Sequence, residues 1–377
     1  MKVIIAGDFC PMYRVAPKIE NGEYAFVFGD IKPIIEQADY SIINLECPVC
    51  YGEEQPIAKC GPNLQCSVNG VIAVKWAGFD CVTLANNHFL DYGEEGVKNT
   101  LSSCQKYGLD SVGGGNSLKE ASQILYKEKN GQILAIINCC EHEFSIATET
   151  TAGSNPLNPI QQYYAIKEAK ENADYVMVIV HGGHEHYQLP SLRMQETYRF
   201  FVEAGADAVV NHHQHCYSGY EIYKGKPIFY GLGNFCFDHP VPVPFGWNEG
   251  IMLELELDNN GIRNRIIPYN QCKDCANVQV LSSDAFNERI DELNRIISDP
   301  VLLNKKKESY YNESMQSIAL TIEPVNNRII ASLQSRNMLP LLWSKKSIVQ
   351  LENYVMCESH RDKMEFFFRN YFNSKEK

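Results

Sequence analysis

Three histidines stand within four residues in the stretch VVNHHQH, at 209–215. The chain holds only 10 histidines, so this concentration predicts a local chemical role. Imidazole, carboxylate and amide oxygen together suit zinc, manganese or iron, and one or two such ions promote hydrolysis or transfer at phosphorus. The sequence offers such ligands after several short apolar runs. The predicted metal ligands are Asp8, Glu46, Asn87, His181, His213 and His215.

The elements that must position these ligands alternate along the first 215 residues. Short β-branched runs, such as KVIIAGD at 2–8 and YVMVIVHGG at 175–183, alternate with stretches of helical length, such as EEGVKNTLSSCQKYG at 94–108. This rhythm predicts an α/β domain built on a largely parallel sheet. Functional loops leave such sheets at the carboxyl ends of the strands, which is where the predicted ligands fall.

Charge and hydropathy limit the partners. The chain has 34 basic and 46 acidic residues, and its net charge of -12 argues against a nucleic acid held by bulk charge. The first apolar run has no small-residue cleavage site behind it, and no stretch reaches the ~18–20 uninterrupted apolar residues of a membrane-spanning helix. We therefore expect a cytoplasmic protein with no direct membrane span and no nucleic-acid partner.

The 14 cysteines leave one alternative open. Most of them lie in or beside apolar strand-like runs, and we interpret them as small buried hydrophobic residues of a reducing compartment. Four thiolates could instead form a zinc site, although their spacing is not one of the common patterns. These are Cys47, Cys50, Cys60 and Cys66.

The pattern of the chain changes near residue 280. From there it becomes helical and more charged, as in FNERIDELNRIISD at 286–299. We therefore predict a main domain at 1–279 and a helical C-terminal appendage at 280–377.

A family resemblance is carried by five segments, which occur in this order: GDFC, NLECPV, LANNHFLDYGEEG, HGGHEHYQLPSLRMQETYRFFVEAGADAVVNHHQH and GKPIFYGLGNF. Over roughly residues 2–240 the chain resembles the capsule and poly-γ-glutamate synthesis protein CapA family, which is similar to the calcineurin-like metallophosphoesterases. The resemblance implies a four-layer α/β/β/α sandwich, in which two sheets pack face to face under flanking helices.

The resemblance also implies roles for individual residues. Asp8 matches the first metal-binding aspartate, and Glu46 stands where the bridging carboxylate usually lies. Asn87, His181, His213 and His215 match the remaining metal ligands. The resemblance further implies that His88 faces the leaving group, so we predict His88 as the general acid, with Asp91 holding its other ring nitrogen. The candidate substrate contacts are Glu185, Asn44 and Asn234.

One departure from the wider superfamily concerns the first motif. Where the superfamily has Asp-x-His, this chain has Asp8-Phe9-Cys10. Cys10 could supply a thiolate to the first metal, or the site could hold a single ion, or the second ion could bind weakly. The chain could also perform a reaction other than phosphate ester hydrolysis.

Two classes of function follow from the resemblance. The first is a metal-dependent hydrolase with one or two Mn, Zn or Fe ions, acting on a small anionic or polymer-intermediate substrate of surface-polymer biosynthesis. The alternative is a non-catalytic accessory protein that binds polyglutamate or an enzyme of a polymer synthesis complex. Metal content and turnover of a generic phosphate ester separate the two.

Overall fold

The computed structural model describes residues 1–258, 261–322, 329, 332–333, 336, 338–339 and 344–375. Within these ranges the chain forms two large β-sheets and one small one, with helices outside them. The strands are β1 (Lys2–Cys10), β2 (Tyr40–Leu45), β3 (Cys81–Thr83), β4 (Asp110–Val112), β5 (Gly114–Gly115), β6 (Leu125–Lys129), β7 (Gln132–Cys140), β8 (Gly153–Ser154), β9 (Tyr175–His181), β10 (Ala208–His212), β11 (Tyr220–Tyr223), β12 (Lys226–Phe229), β13 (Asn234–Phe237), β14 (Glu249–Asp258), β15 (Gly261–Gln271) and β16 (Val278–Val280). The helices are α1 (Val15–Glu20), α2 (Tyr24–Phe28), α3 (Lys32–Ile35), α4 (Val68–Ala77), α5 (Gly93–Tyr107), α6 (Leu118–Ala121), α7 (Pro159–Asn172), α8 (Leu192–Ala204), α9 (Asn287–Ser298), α10 (Pro300–Ile322), α11 (Lys345–Met356) and α12 (Glu358–Lys375).

The two large sheets have different strand orders. The first runs β16-β15-β14-β1-β2-β3-β4, with β13 also paired to β1, and the second runs β11-β12-β10-β9-β7-β6. Strands β1, β2 and β3 are parallel, as are β7, β9, β10 and β12, which agrees with the parallel sheet predicted from the sequence. Beyond that parallel part, β14, β15 and β16 extend the first sheet with antiparallel pairs.

The side chains of β1 show how the layers stack. Val3 and Ile5 lie in the core that the two sheets share, whereas Ile4 and Ala6 lie in a second core with residues of α1, α2 and α4. Successive residues of a strand face opposite sides, so one apolar run fills two cores. Helices α7 and α8 pack on the outer face of the second sheet. The α/β/β/α sandwich is therefore confirmed.

A close contact between two glycines fixes the position of β13. A Cβ atom on Gly7 would lie 1.9 Å from the backbone oxygen of Gly233, so a larger residue at position 7 would push the strands apart. Gly233 itself has a φ of 78°, in the left-handed region that favours glycine. This approach places Asn234 beside Asp8 in the parallel pairing of β13 with β1.

The C-terminal helices α9–α12 pack on the sandwich. Helix α9 buries Leu293 and Ile297 in the core that the two sheets share. Farther along, the Arg193 Nε of α8 lies 3.1 Å from the Asp362 Oδ2 of α12. A helical region thus follows the last strand, as predicted, while the division into domains at residue 280 stays a prediction.

Candidate metal and acid–base site

The predicted ligands meet at one end of the strands. Asp8 lies near the end of β1 and is paired with Asn44 of β2 on one side and with Asn234 of β13 on the other. Glu46 follows β2 directly, and His181 is the last residue of β9. In the parallel part of each sheet the carboxyl ends share one edge, and the face-to-face packing of the sheets brings the two edges together.

Two groups of side chains at this end could each hold a metal ion. One consists of Glu46, His181 and His213, and the other of Asp8, Glu46 and His215. The ligand atoms of each group lie within 4.8 Å of one another, and all the residues are buried. Glu46 belongs to both groups, so its carboxylate lies where a bridging ligand would be needed.

The burial of the Glu46 carboxyl is not offset by hydrogen bonds from the described residues. Both carboxyl oxygens are buried and accept no hydrogen bond from the described residues. Burial, followed by the negative charges of Asp8 and Glu185, raises the pKa of Glu46 well above its usual range. A buried carboxyl of this kind needs either a proton or a cation.

The first group surrounds a single ring nitrogen, His181 Nε2. Asn87 Oδ1 lies 2.9 Å from it, His213 Nδ1 3.1 Å and Glu46 Oε1 3.4 Å. In a tetrahedral site with bonds of ~2.1 Å, neighbouring ligand atoms are roughly 3.4 Å apart. These three separations from His181 Nε2 are therefore close to those that a small divalent ion requires.

Two histidines of the site, His181 and His215, favour the neutral form that binds metal. Burial, helped by the charge of His213, lowers the pKa of His181 well below its usual range. Burial also lowers the pKa of His215, to about 4. Because a metal competes with protons for imidazole nitrogen, neutral rings are the better ligands.

The turn that carries two of these histidines has unusual backbone angles. His213 has a φ of 91° and His215 a φ of 56°, a region that residues with a side chain seldom adopt. The hydrogen bonds of the preceding Asn211 hold the turn in place: its Nδ2 donates to the backbone oxygens of Gly182 and Tyr230. Strained backbone that is fixed in this way is commonly found at functional sites.

Asn44 and Asn234, the candidate substrate contacts, hold ligand side chains. Asn44 Nδ2 donates to Asp8 Oδ1 at 2.8 Å, and Asn234 Oδ1 lies 2.9 Å from His215 Nδ1. The second contact leaves Nε2 of His215 to face Glu46, at 3.8 Å. Both asparagines are buried, so the structure places them as supports for the ligands, and direct contact with substrate stays a prediction.

The predicted acid–base pair is formed with good geometry. His88 Nδ1 lies 2.6 Å from Oδ2 of Asp91, which stands three positions farther along the chain. Lys59, which sequence reasoning missed, joins the pair: its Nζ lies 2.9 Å from His88 Nδ1 and 2.5 Å from Asp91 Oδ1. It comes from a long loop between β2 and α4, and no spacing or motif in that loop points to this position.

Glu185 lies at the exposed side of the site. The surrounding protein opposes ionisation, but at the low pH where Glu185 titrates the protonated rings of His213 and His215 outweigh this effect and lower the pKa of the Glu185 carboxyl to about 2. Glu185 therefore carries a negative charge at neutral pH. Its contact with substrate stays a prediction.

The two ligand groups at the strand ends do not include Cys10, so its role as a ligand stays a prediction. Its side chain lies in the core beneath the helices. The thiol interacts with Cys47, and burial raises its pKa.

Sequence patterns give His212 no role, yet His212 Nδ1 lies 3.2 Å from Asp8 Oδ1. An imidazole therefore approaches Asp8 from β10 instead of from the first motif.

The four-thiolate alternative is not supported either. Cys47 and Cys66 interact in the buried core, where contact with each other and burial raise the pKa of Cys66. Cys60 is partly exposed elsewhere, lining a cavity with residues of α11. The groups of potential metal ligands among the described residues do not include a set of these four thiols.

Two sheets that pack face to face under helices, with potential metal ligands at the carboxyl ends of their strands, define an α/β/β/α sandwich protein with a candidate metal site. Within that class the chain belongs to the family of the bacterial capsule synthesis protein PGA_cap, whose model matches residues 2–239. The resemblance to the CapA family is thereby confirmed.

Two curated relatives carry the CapA name. The capsule biosynthesis protein CapA of Bacillus anthracis is 35% identical over 272 residues, which are 69% of this chain and 65% of the relative. The PGA biosynthesis protein CapA of Bacillus subtilis is 35% identical over 241 residues, 62% of each chain. The match thus spans somewhat less than two thirds of the length of either relative.

Solved structures give a partial match. The 5'-nucleotidase precursor of Thermus thermophilus aligns with 80% of this chain and 59% of its own, at 11% sequence identity and a TM-score of 0.45. In the part of the chain that the structure describes, no helix is long and apolar enough to cross a membrane.

Proposed function

We propose that this chain is a metal-dependent hydrolase that cleaves a phosphate ester or related bond in an anionic intermediate of surface-polymer biosynthesis. The observation that supports it best is Glu46, a buried carboxylate shared by two ligand groups and lacking a hydrogen-bond partner among the described residues. A divalent cation would compensate this charge. The polymer is inferred from the names of the relatives, which refer to capsule and PGA biosynthesis.

The donors suit manganese, zinc or iron better than magnesium or calcium, because imidazole nitrogens stand beside carboxylate and amide oxygens. Asn87, His181 and His213 would hold one ion, and Asp8 and His215 the other, with Glu46 between them. Bound there, divalent ions would lower the pKa of a water and polarise the phosphoryl oxygen.

His88 would donate the proton that the leaving oxygen needs. Its Nδ1–H donates to Asp91 Oδ2, which leaves Nε2 as the nitrogen to carry the proton that is transferred. Asp91 fixes the ring orientation and the tautomer. Lys59 pairs with the second carboxyl oxygen of Asp91 and so offsets the negative charge of that buried carboxylate.

Elemental analysis of protein purified without chelator tests the proposal. The wild-type chain should contain close to two equivalents of zinc, manganese or iron, and the His213→Ala, His215→Ala double variant should contain almost none. His142→Ala is the matched control, because His142 pairs with Glu358 and belongs to neither ligand group. It should retain the wild-type metal content.

Turnover of a small phosphate diester on the same samples tests the chemistry. Metal-dependent turnover that disappears in the double variant but not in His142→Ala supports the hydrolase. A folded wild-type chain that binds no metal and turns over no ester contradicts it and favours the accessory role. One equivalent of metal with turnover would retain the hydrolase and overturn the two-ion arrangement.

A further inference from the structure

A third group of potential metal ligands lies outside the site described above. It consists of Glu143, Cys357 and His360, whose ligand atoms lie within 4.8 Å of one another. Glu143 belongs to the loop that follows β7, Cys357 joins α11 to α12, and His360 lies in the first turn of α12. The group therefore connects the sandwich to its C-terminal helices, and two of its members lie beyond the family match at 2–239.

The spacing of two of these residues is typical of zinc ligands. Cys357 and His360 form the sequence CESH at 357–360, with two residues between the ligands. Zinc sites often take a pair of ligands from such a short stretch. Residues three apart also lie on the same side of a helical turn, so both side chains can reach one ion.

Hydrogen bonds that need no ion hold this turn in place. Glu141 Oε2 accepts from the Ser359 backbone N–H at 3.1 Å and from the Ser359 hydroxyl, while its Oε1 accepts from Arg193 at 2.7 Å. The backbone N–H of His142 donates to Glu358 Oε2 at 2.8 Å. The loop after β7 and the start of α12 are thus already joined, and the potential ligands are positioned before an ion binds.

The ligand atoms themselves are poorly satisfied. His360 Nδ1 is buried and has no hydrogen-bond partner among the described residues. Glu143 Oε1 lies 4.0 Å from it, which is too far for a hydrogen bond but a distance that two metal bonds of ~2.1 Å can span. The Cys357 side chain is buried as well, and its thiol makes a weak contact of 3.8 Å with Glu141 Oε2. A bound cation would give all three ligands a partner.

The protonation of the two ligands from the turn sets how tightly an ion would be held. Burial lowers the pKa of His360, so its ring is neutral and able to bind metal at pH 7. Burial and then the charges of Glu143 and Glu141 raise the pKa of the Cys357 thiol well above its usual range, although backbone N–H groups of the turn oppose them. An ion must therefore displace the thiol proton, which passes to solvent as the metal–sulfur bond forms.

We propose that Glu143, Cys357 and His360 bind a zinc ion that fastens α12 to the loop after β7, and we call them the α12 zinc site. Thiolate, imidazole and carboxylate together suit zinc. His360 also lines a cavity beside α11, so a water molecule can take the fourth position. Because the thiol must lose a proton and one position is open, we expect the ion to be lost in purification without added metal and to return when metal is supplied.

The ion would also steady a turn of the main site. The loop that carries Glu143 continues to Ser145, whose Oγ donates to the backbone oxygen of Asn87 at 2.7 Å. Asn87 is one of the predicted ligands at the strand ends. The α12 zinc site is therefore structural, and it does not depend on the proposed hydrolase.

The test is a cobalt(II) titration of the full chain in a reductant that contains no thiol, followed by absorption. A cobalt–thiolate bond gives a charge-transfer band in the near ultraviolet, and the two ligand groups at the strand ends contain no cysteine. The wild-type chain should develop this band. Zinc should then remove it, because a thiolate site favours zinc.

Three variants each remove one ligand. Cys357→Ser should abolish the band, while His360→Gln and Glu143→Gln should each weaken cobalt binding by at least about tenfold. Circular dichroism and a thermal melt establish that each variant is folded. The two glutamine variants keep the thiol and replace partly exposed side chains, so the test does not rest on the folding of Cys357→Ser alone.

Two control variants match these changes. Cys275→Ser removes an exposed thiol outside the group and should retain the band. His142→Ala removes the contact of the same loop with Glu358 but no ligand, and its cobalt affinity should stay within about twofold of the wild type. A band that persists in Cys357→Ser, or one that Cys275→Ser abolishes, would overturn the site. Equal weakening by His142→Ala and His360→Gln would overturn it as well, because packing and not ligation would then explain the loss.

The His213→Ala, His215→Ala variant separates this inference from the proposed function. It lacks ligands of both groups at the strand ends but keeps the α12 zinc site. A cobalt–thiolate band in this variant supports the inference even where the wild type hydrolyses no ester, a result that contradicts only the hydrolase. Loss of the band in this variant would place the thiolate-bound ion at the strand ends and overturn the inference.

Discussion

The carboxylate of Glu46 lies between the imidazoles of His181 and His215, with Oε1 3.4 Å from Nε2 of the first ring and 3.8 Å from Nε2 of the second. Neither contact has the geometry of a hydrogen bond, and both oxygens are buried. One carboxyl oxygen and two imidazole nitrogens, all potential metal ligands, thus lie close together at the ends of the strands. A substitution of Glu46 should therefore change both the free energy of unfolding and the binding of metal.

Glu46→Gln should stabilise the metal-free protein increasingly as the pH rises. The pKa of Glu46 in the folded state is raised above its usual 4.5, so the native state holds a proton that the unfolded state has released. Unfolding is then favoured as the pH rises above about 4.5, by up to ~1.4 kcal/mol per pH unit until the raised pKa is reached. The amide side chain of the variant does not titrate, so the substitution removes this slope.

The measurement is urea unfolding of both proteins in chelator at several pH values. The difference in unfolding free energy, variant minus wild type, should be smallest near pH 4–5 and grow towards pH 8. The histidines titrate in both proteins, so their contribution largely cancels. A difference that is constant over this range would show that Glu46 keeps its usual pKa in the fold.

Single histidine variants should remove the two ions separately. His213 belongs to the group that contains His181, whereas His215 belongs to the group that contains Asp8. Each alanine variant should therefore retain about one equivalent of metal, while Glu46→Gln, which touches both groups, should lose most of both. Metal analysis of the three variants beside His142→Ala checks the expectation. Complete loss in both single variants would mean that the ions bind only as a pair.

Much of the site could be predicted because parallel strands bring their carboxyl ends together. Asp8 lies near the end of its strand, Glu46 follows one and His181 ends one, so the α/β rhythm of the sequence was enough to place them near one another. Lys59 could not be predicted in this way. Its loop is positioned by tertiary contacts, among them the hydrogen bond from the Leu64 backbone N–H to Asp91 Oδ2.

The position of Cys10 shows a second limit of sequence patterns. Cys10 remained a possible ligand because it stands where the superfamily motif has its histidine, and strict alternation along β1 would put Asp8 and Cys10 on one face. The strand pairing shifts register between Ala6 and Asp8 and again between Asp8 and Cys10. Phe9 and Cys10 both lie in the core under the helices, where alternation from Ile4 and Ala6 would place Cys10 but not Phe9, and a single sequence gives no sign of such bulges.

Substitutions of the acid–base pair should depend on the leaving group. His88→Gln should lower kcat by about 10²–10⁴-fold for an alkyl phosphate diester, because the departing alkoxide needs a proton. The loss should be much smaller for a nitrophenyl ester, whose leaving group departs without one. Asp91→Asn should follow the same pattern with a loss of about 10–100-fold, since it acts through His88. Equal losses on both substrates would exclude His88 as the general acid.

Gly7→Ala should disrupt the site through the backbone. The new Cβ would meet the Gly233 oxygen at 1.9 Å, and since that atom belongs to the backbone leading into β13, this strand has to move. Such a displacement should cost about 1–3 kcal/mol or more in unfolding free energy and should separate Asn234 from its pairing with Asp8. Metal content should fall with it, because Asn234 orients His215.

Gly22→Ala is the control for this variant. Gly22 also has an unusual backbone, with a φ of 71°, but its Cβ would meet nothing within 4 Å. The substitution should cost about 1–2 kcal/mol from backbone strain alone and leave the metal content unchanged. Chemical unfolding and elemental analysis of both variants separate the two effects. Full metal content in a destabilised Gly7→Ala protein would show that the β1–β13 contact supports the fold but does not position the ligands.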